Sequence, residues 1–163
     1  MAVVIADAGP LITFAKLDRL DLLPALFGEV LATHAVVDEC SKGTGHDAVL
    51  IQKAFRSKAF RCIETPAFKH ALSRSLGSGE LSCIEFALQQ LAESVLLIMD
   101  DALARKQALR LQLNIVGTAA LLFVAEKKGL IADAESLIES LNETGYRISA
   151  SVVAILKKKR SAQ

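Results

Sequence analysis

Apolar residues along the chain fall into short unbroken runs that alternate with segments of helical spacing. Val3–Ala6 is continuous and stops at Asp7, the pattern of a strand buried on both faces. Gly9-Pro10 then opens a helix, since proline suits the first helical position, and Leu11, Ile12, Phe14, Ala15 and Leu17 supply its apolar face. Helical spacing resumes around Leu20 to Phe27 and ends near Gly28. Glu29 to Ala32 reads as a second strand, and Ala35 to Cys40 as a short helix. Asp47 to Lys58 is helical, and Arg61 to Glu64 is a third strand ended by Thr65-Pro66. A loop at Gly77-Ser78-Gly79 leads into a helix over Glu80 to Ala92. Val95 to Met99 is the strongest strand of the chain and halts at Asp100-Asp101. A helix over Ala102 to Leu111, a strand over Asn114 to Val116 and a helix over Thr118 to Lys128 follow, the last closed by Gly129. Helices over Asp133 to Asn142 and Ser151 to Lys159 complete the pattern.

Short apolar strands alternating with helices predict an α/β fold with a parallel sheet covered on both faces. The 163 residues suit one domain, with a C-terminal helix and basic tail at about 149–163. Hydrophobic residues make up 52% and the mean hydropathy is +0.39, which excludes a disordered chain. The net charge of +1 does not advertise a nucleic-acid binder, so any such role must rest on a local patch. Cys40, Cys62 and Cys83 are odd in number and lack a C-x-x-C spacing, which fits reduced thiols and excludes a zinc site. The opening residues have no basic leader and the apolar stretches are interrupted. A cytoplasmic protein with no membrane segment is expected.

The acids carry the chemistry. Asp7 ends the first strand, Asp100 and Asp101 end the strongest one, Glu80 opens the helix before it, and Asp38 and Glu39 follow the second strand. Carboxyl ends of strands in an open parallel sheet meet at one crevice, so these acids are expected to converge. Each alone has a structural explanation, as a helix cap, a dipole partner or a surface charge. Together they form a set of hard oxygen donors without His or Cys, which favours Mg²⁺ or Mn²⁺. Such an ion serves phosphoryl chemistry.

The sequence resembles the PIN-domain nucleases. VVIADAGPLITFAKL is similar to the family's opening element, AVVDEC to its second, GSGELSCIEFA to its third and LLIMDDALARKQALRLQLNIVGTAALL to its fourth. The D-D-x-x-A-R…G-T form is similar to a prokaryotic subgroup related to the VapC-type ribonuclease toxins of toxin–antitoxin pairs. The resemblance implies a three-layer α/β/α fold, Mg²⁺ or Mn²⁺ dependence and hydrolysis of RNA. It carries over Asp7, Glu39 and Glu80 as acids of the site, with Asp100 and Asp101 both retained for the fourth. It also implies a small antitoxin as partner. Ser82 stands where the subgroup often has another acid, and Thr33 where a proline is common.

Thr118, at a strand-to-helix junction, is a candidate phosphate or metal-water contact, or else a plain cap. Arg105, one turn after Asp101, either steers a phosphate or neutralises the acids. Lys53, Arg56, Lys58, Arg61, Lys69, His70 and Arg74 form a basic middle third that is a candidate RNA path. The tail Lys157-Lys158-Lys159-Arg160 is read as a solvated end, with a phosphate contact as its alternative. An aspartyl-phosphate phosphatase wants a second Asp two residues after the first, where this chain has Gly9. The remaining alternative is a PIN-like module that binds RNA or protein without cleaving. Leu- and Ala-rich helices make a homodimer the default assembly.

Overall fold

The computed structural model describes residues 2–91, 94–146 and 148–162. Strand β1 (Val3–Ala6) is followed by helices α1 (Ala8–Lys16) and α2 (Leu22–Phe27). Next come β2 (Val30–Thr33), α3 (His34–Ser41), α4 (His46–Ala54) and β3 (Phe60–Ile63). After an irregular stretch at 64–77 lie α5 (Ser78–Gln89), β4 (Val95–Ile98), α6 (Ala102–Arg110) and β5 (Asn114–Val116). Helices α7 (Thr118–Lys127), α8 (Ala134–Glu143) and α9 (Ala150–Ser161) close the described order.

All five strands are parallel, in the order β3-β2-β1-β4-β5. The sheet is flanked by helices, as the alternation of runs predicts. β1 lies at its centre, pairing Ile5 with Leu31 on one side and with Leu97 on the other. The chain builds outward from β1 in one direction and, from β4, in the other. The reversal opens a crevice at the carboxyl ends of β1 and β4, where Asp7 and Asp100 emerge. Within these two runs Ile5, Ala6, Leu97 and Ile98 have no exposed surface.

Element boundaries differ from the sequence pattern where local hydrogen bonds decide them. Helix α1 begins two residues before Pro10, which is harmless because the first turn has no intrahelical acceptor for its N–H groups. Helix α4 stops at Ala54, where the Ser57 hydroxyl donates to the Ala54 carbonyl. The Gly77–Gly79 segment is a helix start: Glu80 accepts from the Gly77 N–H at 2.9 Å, one half of a capping box. Ala92, where the pattern ends this helix, lies outside the described residues.

A buried carboxylate anchors the irregular stretch before α5. Glu85 is fully enclosed and accepts from the His70 N–H at 3.2 Å and the Gln89 amide at 2.7 Å, with His70 Nδ1 at 2.8 Å. Gln89 also donates to the Ala67 carbonyl. Burial pushes the Glu85 carboxyl up, but these bonds outweigh it and bring it down to about 2.

Leu97 sits in β4 between β1 and β5 with no exposed surface. Leu97→Ala is expected to cost about 3 kcal/mol of stability, read from urea denaturation, through lost burial and an unfilled cavity. A loss under about 1 kcal/mol would mean that the sheet collapses around the missing side chain.

Candidate active site

Asp7 occupies the N-cap position of α1 but makes no side-chain capping hydrogen bond. Its backbone N–H instead continues the ladder, donating to the Ile98 carbonyl at 2.9 Å. The side chain is 5% exposed, and its Oδ1 is buried with no hydrogen-bond partner. An orphaned buried carboxylate oxygen is costly, and the cost raises the group's affinity for a proton. Burial raises the Asp7 carboxyl to about 7, assisted by the charges of Glu80, Glu39 and Asp100, while the Ala8 N–H offsets part of the rise.

Gly79 brings the second acid to the first. A Cβ at this position would lie 2.7 Å from Glu39 Oε2 and 3.3 Å from Asp7 Oδ1. The two carboxylates therefore converge on the bare backbone of the first turn of α5, and a side chain there would push Glu39 aside. Glu39 reaches this point from α3, whereas its neighbour Asp38 acts on the Cys62 thiol. Glu80, one residue beyond Gly79, is half-buried and bonded to Gly77. Its carboxyl is raised by burial and by the charges of Asp101 and Glu39, against the Gly77 N–H.

The paired acids after β4 have different partners. Asp101 faces solvent and caps α6, accepting from the Ala104 N–H at 2.9 Å. Asp100 turns towards the β5–α7 junction. Its Oδ1 accepts from the Thr118 N–H at 2.8 Å, and its Oδ2 accepts from the Thr118 and Tyr146 hydroxyls, both at 2.6 Å. Thr118 is fully buried, so its hydroxyl orients an acid. Arg105 donates to the Met99 carbonyl at 2.9 Å, and Gly117 admits both it and Asp100. A Cβ on Gly117 would lie 2.9 Å from Arg105 Nη1 and 3.1 Å from Asp100 Oδ1.

Three of these residues were invisible to sequence reasoning. Gly79 and Gly117 matter by the closeness of carboxylates to their backbone. Tyr146 reaches Asp100 from the α8–α9 connection, and burial together with the Asp100 charge pushes its phenol up, so it remains a donor. Its being the sole tyrosine of an aromatic-poor chain was the signal available.

Thr33 and Ser82 are bonded to each other. The Ser82 hydroxyl donates to the Gly79 carbonyl at 2.6 Å, which leaves the Thr33 hydroxyl to donate to Ser82 Oγ across 2.7 Å. Thr33 Oγ1 also accepts from the Val36 N–H and caps α3. Both side chains are fully buried, so this chain of bonds fastens the Glu39 helix to the turn that carries Gly79 and Glu80.

The donor set suits a hard cation. One buried Asp7 oxygen lacks any partner, the more exposed Glu39 and Glu80 lie near it, and the thiols nearby are unsuited: burial pushes Cys40 up to about 12 and raises Cys83 as well. Among the described residues no three potential ligands stand close enough to form a complete cage. Glu80, Glu39 and Asp100 act on Asp7 through their charges.

A family model described as a PIN domain, DUF3368, matches residues 3–161. Among solved structures, the PIN domain endonuclease Utp24 is similar with a TM-score of 0.53. The two share 10% sequence identity over 70% of this chain and 83% of that chain, a likeness of fold. No curated protein sequence matches.

In the absence of divalent ions, the buried Asp7 makes stability depend on pH. The unfolded carboxyl ionises near 3.8 and the folded one near 7, so stability falls as pH rises between those values and levels off above. In EDTA above pH 7, Asp7→Asn is expected to exceed the wild type by about 2–4 kcal/mol in urea denaturation. The difference should vanish near pH 3.8, and a constant difference across that range would contradict the assignment.

Proposed function

The chain belongs to the PIN-domain family, and we propose that it is a metal-dependent ribonuclease that hydrolyses phosphodiester bonds at the Asp7 crevice. The observation that carries this reading is the buried, partnerless Asp7 Oδ1 beside Gly79, where Glu39 also arrives. Carboxylates placed this way gain their compensation from a cation. Asp7 would be the ion's central ligand, and Glu39, Glu80 and Asp100, whose charges act on Asp7 without forming a closed cage around it, would supply further oxygens as their side chains adjust; Asp101 acts on Glu80 through its charge. When bound, Mg²⁺ or Mn²⁺ supplies Lewis-acid chemistry that polarises the phosphodiester and activates water.

The protein's own residues prepare that chemistry. A nearby cation would favour the ionised Asp7 and lower its raised affinity for a proton, the proton going to solvent. Thr118 and Tyr146 fix the Asp100 carboxylate from three directions, so it enters the reaction without reorganising. Glu80 stands at the open side of the crevice with a raised affinity for protons, suited to accepting one from water. Arg105 lies beside Asp100 and is placed to meet the phosphate. In its finer form this reading makes the chain the cytoplasmic toxin of a toxin–antitoxin pair, a homodimer restrained by a small antitoxin.

A mixed single-stranded RNA pool incubated with Mg²⁺ or Mn²⁺ tests the proposal. The wild type is expected to cleave it, EDTA to abolish cleavage, and Asp7→Asn and Glu80→Gln each to lower the rate by about 100-fold or more. Gly79→Ala should do likewise, because its Cβ displaces Glu39. A folded wild type that binds RNA without cleaving it would establish the alternative, a PIN-like binding module.

A further inference from the structure

Beside the acids runs a groove of about 1000 Å³. Its walls are α6 and α9, and its floor is β5. Each wall presents one helical face. On α6 the lining residues Ala102, Arg105, Lys106, Leu109 and Arg110 recur at spacings of three and four. On α9 the same spacing selects Val152, Ile155, Leu156 and Lys159. Ile115 and Val116 line the floor, and Asp100, Gly117 and Tyr146 form the end that opens on the crevice.

The charges of the groove are of one sign apart from Asp100, which already has three donors. The basic tail divides along α9. Lys157 pairs with Glu135, and Arg160 pairs with Glu126 and Glu135 and covers the Phe123 ring. Those contacts fasten to α7 and α8 a helix that has no buried residue of its own. Lys159 turns the other way, into the groove. Lys106, Arg110 and Lys159 are exposed and form no ion pair among the described residues. Leu109 and Ile155, each more than half exposed, leave aliphatic surface between them.

We propose that this groove is the binding path for single-stranded RNA, with Arg105, Lys106, Arg110 and Lys159 on its phosphates and the aliphatic residues beneath its bases. The proposal rests on the ribonuclease reading and adds the route by which the strand reaches the acids. A polyanion fits because four cations line the walls and the groove ends at the candidate reacting centre. Flexible, unpaired bases fit because the floor is apolar and carries no donor–acceptor pattern for a duplex edge. Of the basic middle third read from the sequence, Arg61 pairs with Glu29 and His70 with Glu85, which leaves Lys53, Arg56, Lys58, Lys69 and Arg74 as the competing path.

The test is equilibrium binding of a fluorescent mixed-sequence single-stranded RNA to the full chain in EDTA, where cleavage does not interfere. The triple variant Lys106→Glu, Arg110→Glu, Lys159→Glu is compared with a control carrying Lys53→Glu and Lys58→Glu. Arg105 is left intact because it braces the Met99 carbonyl. The triple variant is expected to lose about tenfold or more in affinity and to flatten the log K against log salt slope by about 2. The control should bind like the wild type, and alanine at the three groove positions should act in the same direction as glutamate.

Loss of binding in the control with retention in the triple variant overturns the proposal. So does a groove that takes poly-glutamate and not RNA, which would mark a polypeptide site. Cleavage assays with Mn²⁺ separate the two claims. A wild type that binds through the groove and never cleaves defeats the nuclease reading alone. Groove variants that bind and cleave as the wild type does defeat the groove alone.

Discussion

A carboxyl group at the end of the central strand has one oxygen sealed from water with nothing to bond. The position of Asp7 follows from the fold: β1 pairs on both sides, so the residue that leaves it emerges in the middle of the sheet, at the crevice where the strand order reverses. Burial there is unavoidable, and α1 covers the site without supplying a cap bond. The surrounding acids raise the cost of ionisation further. The resulting group holds its proton more tightly than an ordinary carboxyl and, ionised, offers an oxygen that no protein donor satisfies. Much of the neighbouring structure serves this one residue: glycine at position 79 to admit Glu39, a half capping box to hold Glu80, and two hydroxyls to aim Asp100.

The sheet was legible in the sequence because strands buried on both faces must be apolar without interruption, and Val3–Ala6 and Val95–Ile98 are. The same logic placed the acids, since a strand that ends abruptly in Asp marks the edge of the core. Helix boundaries were less legible. Glu80 draws the start of α5 back through Gly79, and Ser57 accompanies the early end of α4, both through hydrogen bonds with no signature in hydropathy. Tyr146 could not be found at all by pattern, because it meets Asp100 across 46 residues of chain.

The choice between Asp100 and Asp101 shows the same division. Adjacent and identical, they are equivalent in sequence, and the backbone sends one to the α6 cap and the other to the Thr118 turn. Thr33 and Ser82 make the complementary point. Separated by 49 residues, they form one buried bond that ties the N-terminus of α3 to the first turn of α5. In a buried site a lone hydroxyl is a liability, whereas two that satisfy each other brace the turn that carries Glu80.

The central claim is that Asp7 exchanges its proton for a divalent cation. Titration calorimetry of Mn²⁺ into the full chain, repeated in buffers of different ionisation enthalpy at about pH 6, reads both events together. The account predicts binding with release of about one proton per ion, and loss of that release in Asp7→Asn. Binding by the wild type without proton release, or no binding by the folded chain, would contradict it.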